Sequence, residues 1–169
     1  GYAGEELVRL LLAHPHVELT AVTSRQYAGR TLAEVFPRFA DKSLAFTAPE
    51  TAALTEAAEV IFLALPHGVA AEFAQTLLEA GRQVIDLSAD FRLNDAEVYE
   101  EFYGGAHPAP ALLDEAVYGM PELHRDAIRN ARLIAAPGCY PTSILLPIVP
   151  LLRAGLIKST GIIADSLSG

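Results

Sequence analysis

Short runs of apolar and β-branched residues alternate along this chain with longer segments whose apolar positions recur every three or four residues. The short runs are "LTAVTS" (19–24), "LAFT" (44–47), "VIFLAL" (60–65), "QVIDLS" (83–88), "RLIAAP" (132–137) and "GIIAD" (161–165), and they predict strands. The longer segments, 4–13, 69–80, 96–102, 122–130 and 142–154, predict helices. In the first of them Leu7, Leu10, Leu11 and Val8 lie toward one face, the spacing of a helix laid on a sheet. "VIFLAL" is apolar throughout, as for a strand covered on both faces. Strand and helix in repetition predict an α/β chain: a doubly wound parallel sheet with crossover helices. The Pro/Gly-rich "YGGAHPAPALLD" (103–114) predicts a long surface loop.

Composition narrows the classes. Half of the 169 residues are hydrophobic, enough to bury a core, which excludes a disordered chain. A net charge of −9 argues against nucleic acid and anionic membrane as partners, since both are bound through concentrated Lys and Arg. The single cysteine, Cys139, excludes an internal disulfide and fits a reducing cytoplasm. The opening residues do not form a basic-then-apolar secretory signal. Leu133 to Leu152 carries no charge, but Pro137, Pro141, Pro147, Pro150 and Gly138 interrupt it, so it reads as buried core at a bend. With no initiator Met and an ending at "SLSG", the chain reads as a fragment at both ends.

Candidate chemistry begins at the amino end. Gly1 and Gly4 run straight into the first predicted helix, as the last two glycines of a dinucleotide phosphate loop do. Such a site reads the adenosine ribose about twenty residues further on, at the end of the next strand. Here that place holds Ser24, Arg25 and Arg30, with no Asp or Glu between Glu18 and Glu34. A guanidinium accepts a 2′-phosphate that a carboxylate would repel, so the expected cofactor is NADP. Pro66, His67 and Gly68 form a turn after "VIFLAL", at a strand end that can face the cofactor.

Cys139 lies in "APGCYPTS", where a strand gives way to a helix across Pro137 and Gly138. A helix N-terminus favours thiolate over thiol, which is what a nucleophile needs. A thiolate beside an NADP site suggests attack on an activated acyl group, a thioester, and reduction to an aldehyde.

Together "GYAGEELVRLL", "TSRQYAG", "ALPHGVA", "VIDLSADFRL", "VYGMPEL" and "APGCYPTSILLPIVPLL" resemble the N-acetyl-γ-glutamyl-phosphate reductases of arginine biosynthesis, in that family's order. The resemblance implies a Rossmann-type NADP-binding domain over 1–138 and, over 139–169, the start of an α+β catalytic and dimerisation domain. It implies that an N-acetylated glutamyl phosphate is reduced by NADPH, with Cys139 as the nucleophile. Gly1, Tyr2 and Gly4 then belong to the phosphate loop, Ser24 and Arg25 to the 2′-phosphate site, Pro66 and His67 to the nicotinamide side, and Ser88 to the next strand end facing the cofactor. No metal is implied. Asp86, Asp90 and Arg92 read as an ionic network shaping the crevice. The family's general acid/base histidine lies beyond residue 169, and its members suggest a cytoplasmic tetramer.

Two other readings stand beside this one. A sister reductase of lysine biosynthesis, acting on carrier-bound aminoadipyl phosphate, shares "SADFRL" but typically reads Asn-Ala-Thr after the thiol, where this chain has Tyr140, Pro141 and Thr142. A non-catalytic NADP-binding module is the other, and it has no need of Cys139.

Overall fold

The computed structural model describes residues 2–167. Their strands pair in parallel throughout, as the alternation of strand and helix requires. Strands β1 (Val22–Thr23) and β2 (Phe46–Thr47) form a small sheet. A larger sheet comprises β3 (Val60–Leu63), β4 (Gln83–Asp86), β5 (Val117–Tyr118) and β6 (Leu133–Ala135), in the spatial order β3-β4-β6-β5. The helices are α1 (Tyr2–Leu12), α2 (Leu32–Val35), α3 (Thr51–Ala57), α4 (Ala70–Glu79), α5 (Ala96–Tyr103), α6 (Pro121–Asn130) and α7 (Cys139–Arg153). None of the described helices is long and apolar enough to cross a membrane.

The main core lies where α4 meets the larger sheet. Ala70, Ala71 and Ala74 are fully buried, and their small side chains let the helix sit close on Ile61, Leu63, Val84, Leu133 and Ala135. A second core joins the small sheet to α2 through Val22, Leu32, Phe39 and Phe46, with Phe36 packed edge-on against Phe39 and Phe46 and Tyr27 edge-on against Phe36.

Several expectations are corrected. β3 alternates instead of being covered on both faces: Ile61 and Leu63 are buried, whereas Val60 is 40% exposed. On α1 it is Val8 and Leu12 that pack against the second core, and Leu10 is 52% exposed. "GIIAD" forms no strand, because a strand needs a ladder partner and its Ile163 is 93% exposed. The 103–114 loop is not a surface loop throughout, since His107, Ala109 and Leu113 are buried in it. The uncharged stretch after β6 is not buried core: α7 contains no buried residue. That helix also begins at Cys139, three residues earlier than its apolar period indicates. Among the elements absent from the sequence reading, α2 carries a full capping box, with Thr31 and Glu34 each bonding the other's backbone N–H.

Candidate active site

In a parallel sheet every strand delivers its C-terminal loop to the same edge. Because β4 lies between β3 and β6, the segment 87–92 runs between the Pro66–His67 turn and the bend at 136–139. These three adjacent segments hold the candidate groups.

The middle segment is built on buried polar side chains. Asp86 is fully buried and accepts from the Ser88 N–H (2.9 Å) and from the Ser88 hydroxyl (2.7 Å). Burial pushes the Asp86 carboxyl above its usual value, against the pull of the Ser88 hydrogen bonds. The Ser88 oxygen in turn accepts from the Asp90 N–H at 3.1 Å. The Ser88 hydroxyl, expected to face a cofactor, is thus engaged inside the loop.

Asp90 is also fully buried, and it reaches toward β3. Its Oδ1 accepts from the Gly68 N–H (2.7 Å) and its Oδ2 from the Ala71 N–H (3.1 Å) in the first turn of α4, while His67 Nδ1 stands 2.9 Å from Oδ1. The carboxylate therefore caps a helix N-terminus whose first N–H groups have no intrahelical partner. On the other side of the ring His67 Nε2 lies 3.4 Å from the Tyr99 hydroxyl. Tyr103 stacks on the same ring at 4.6 Å, while His67 itself stays exposed to solvent. Burial, with the Asp90 charge second, pushes the Tyr99 phenol up to about 12. Behind them His107 Nε2 donates to the Asp90 carbonyl at 2.8 Å and its Nδ1 accepts from the Ala109 N–H.

Arg92 reaches the other way. Its Nε donates to the Ala136 carbonyl (2.9 Å) and its Nη2 to the Leu87 carbonyl (3.0 Å). A Cβ placed on Gly138 would stand 3.2 Å from Arg92 Nη1. The expected ionic network is therefore mostly one of hydrogen bonds to backbone, with Asp90 and Arg92 serving opposite walls.

Cys139 is exposed and is the first residue of α7, with Gly138 as the N-cap. The Gly138 carbonyl accepts from the Thr142 N–H (3.0 Å) and hydroxyl (2.9 Å), which fixes the first turn. Gly138 brings no capping side chain and Pro141 has no N–H, so only the Cys139 and Tyr140 N–H groups of the first turn lack an intrahelical partner.

The amino-end candidates belong to α1 and to the segment after β1. Gly1 lies outside the described residues. Tyr2 is exposed at the start of α1. A Cβ on Gly4 would meet Ala64 at 3.9 Å, an ordinary contact, so packing among the described residues does not demand a glycine there. Ser24 follows β1 and accepts from the Tyr27 N–H (3.2 Å), and Arg25 beside it is exposed. Arg30 is otherwise engaged, donating to the Glu34 carbonyl at 3.1 Å and lying over the Tyr27 ring. Among the described residues no group of three His, Cys, Asp or Glu could hold a metal ion. The sequence reading did not find Tyr99, Tyr103 or His107. The first two stand four apart, on one face of a helix, which is the signal that could have found them.

Residues 1–131 match the family described as "Semialdehyde dehydrogenase, NAD binding domain". The whole chain is 56% identical to a curated protein of Akkermansia muciniphila and 52% identical to one of Nitrosococcus oceani, both named N-acetyl-gamma-glutamyl-phosphate reductase. The chain spans about half the length of these relatives, 50% of each. Among solved structures, the aspartate semialdehyde dehydrogenase of Candida albicans, determined with NADP, aligns with 90% of this chain and 44% of its own at a TM-score of 0.58. At 17% identity that likeness speaks for the fold alone.

Proposed function

The chain belongs to the semialdehyde dehydrogenase family through its NAD-binding domain, and on that footing we propose that the whole protein is an NADPH-dependent N-acetyl-γ-glutamyl-phosphate reductase of arginine biosynthesis. The observation that carries this reading is Cys139, exposed at the N-terminus of a 15-residue helix on the sheet edge that also bears His67. In this reading the Cys139 sulfur attacks the acyl carbon of the substrate. The bond from that carbon to the phosphate oxygen breaks, its electron pair leaves with inorganic phosphate, and a thioester remains on Cys139. The Cys139 and Tyr140 N–H groups lie at the N-terminus of α7, the end of a helix that attracts negative charge. NADPH, when bound, supplies the hydride that takes the thioester to the aldehyde level.

The residues present fit that cofactor. Arg25 is exposed after β1 with no acidic residue between Glu18 and Glu34, which suits a 2′-phosphate. Tyr2 and Gly4 lie in the first turn of α1, where a pyrophosphate would meet backbone N–H groups, with Gly1 just before them. Ser24 holds the turn carrying Arg25, Pro66 and His67 stand at the nicotinamide side, and Ser88 acts by ordering the loop between. Tyr140 and Pro141 after the thiol favour the glutamyl over the aminoadipyl substrate. We extend the proposal to a cytoplasmic homo-oligomer, a tetramer, in which 139–169 open the catalytic and dimerisation domain. In support, α7 has no buried residue, and its Leu146 and Leu151 are 37% and 40% exposed.

The test uses the full-length protein. It should form NADPH from NADP and N-acetylglutamate semialdehyde only when inorganic phosphate is present. Cys139→Ser should abolish that turnover while NADPH affinity is kept. Turnover surviving in the serine variant, or appearing only with a carrier-bound aminoadipyl substrate, would overturn the assignment.

A further inference from the structure

Two charged residues in the 87–92 segment stand two apart and act on opposite neighbours. Each takes hold of one loop of the crevice and neither holds both. Asp90 gathers two donors from the β3 side, the Gly68 N–H and the Ala71 N–H, and its Oδ1 lies 2.9 Å from His67 Nδ1. Its own backbone is fixed by Ser88 and His107, so the carboxylate is held at both ends. Arg92 spans two carbonyls on the other side, Leu87 just after β4 and Ala136 just after β6, and its remaining nitrogen lies against Gly138. The planar fork of a guanidinium suits two carbonyls, and a lysine ammonium does not reproduce it. Neighbouring strands lie about 4.8 Å apart, so the two outer loops leave the sheet about 10 Å from each other. A thioester on Cys139 must stand at a fixed span from a nicotinamide beside His67, and misplacement by about 1 Å lowers rates steeply.

We propose that Asp90 and Arg92 are positioning residues that set this span, Asp90 through the His67 turn and Arg92 through the Gly138–Cys139 bend. The proposal rests on the reductase reading, and it makes a crossed prediction in full-length protein. Asp90→Asn turns one donor against the Gly68 or Ala71 N–H. It should weaken NADPH binding about tenfold, the scale of losing a hydrogen bond to a charged group, and leave the rate at which iodoacetamide labels Cys139 in nucleotide-free protein within about twofold. Arg92→Lys should do the reverse, changing the labelling rate about fivefold or more with NADPH affinity within about twofold. Gly138→Ala places a methyl 3.2 Å from Arg92 Nη1 and 3.3 Å from Pro141 Cδ without altering charge, and should likewise change the labelling rate with NADPH affinity kept. Both arms should lower kcat. If Asp90→Asn does not fold, Asp90→Glu keeps the charge and displaces its oxygens by one methylene, with the same expectation.

Either arm moving affinity and labelling together would reduce the segment to ordinary core and overturn the proposal. Affinity and labelling are both read without turnover. An inactive native protein would therefore sink the reductase reading and leave this test intact.

Discussion

Asp86 shows how a residue can be fixed in place at some energetic cost. Both of its oxygens are bonded to Ser88, yet full burial raises its carboxyl above the usual 3.8. A raised value in the fold means that this group contributes stability at pH below the unfolded value, and that the contribution is lost as pH climbs through the folded one. Asp86→Asn has nothing to ionise. The melting temperature of the variant relative to the native protein should therefore rise between pH 4 and pH 7.5. A difference that stays flat or falls would mean the carboxylate is well compensated where it sits. At this scale the sequence was legible for Cys139, because Pro137 and Gly138 punctuate the chain immediately before it. It was not legible for Asp90, whose partners are 22 and 19 residues away and are brought near only by strand pairing. Arg25 and Arg30 are alike as letters and both are exposed, and only the structure shows that Arg30 donates to the Glu34 carbonyl in α2.

Elements were legible in proportion to how much apolar surface they bury. β3, β4 and α4 carry runs long enough to announce themselves, and they form the main core. β5 has only two residues, Val117 and Tyr118, and a pattern that short has no period. The opposite error was "GIIAD", whose β-branched residues have strand propensity but no partner strand. β5 depends on a close approach: the Gly119 N–H donates to the Ala135 carbonyl at 2.8 Å. A Cβ there would stand 3.0 Å from that oxygen and 3.0 Å from Ile134 Cγ2. Gly119→Ala should force β5 away from β6 and cost about 1–3 kcal/mol, read as a lower denaturant midpoint. An unchanged midpoint would mean that the strand end yields without strain.

For the whole molecule, the α/β class with a parallel sheet followed from alternation alone, but not its division into two sheets with separate cores. The small sheet carries the arginine proposed to choose the cofactor, and the larger one carries the thiol. Selection and chemistry should therefore be separable by mutation. Arg25→Ala should raise the KM for NADPH about tenfold, the scale of one charge-assisted contact, and barely change that for NADH. Equal losses with both nucleotides would remove Arg25 from the 2′-phosphate site.

The arrangement of the β4 tail also bears on how such a chain can evolve. Gly104 to Ala106 form an exposed tip after α5, and extra residues there would extend into water. One residue inserted between Asp86 and Asp90 would displace everything after it and move both Asp90 and Arg92 away from the walls they serve. Homologues that differ in length are thus expected to gain or lose residues at such tips, with the seven positions from Asp86 to Arg92 held at constant spacing.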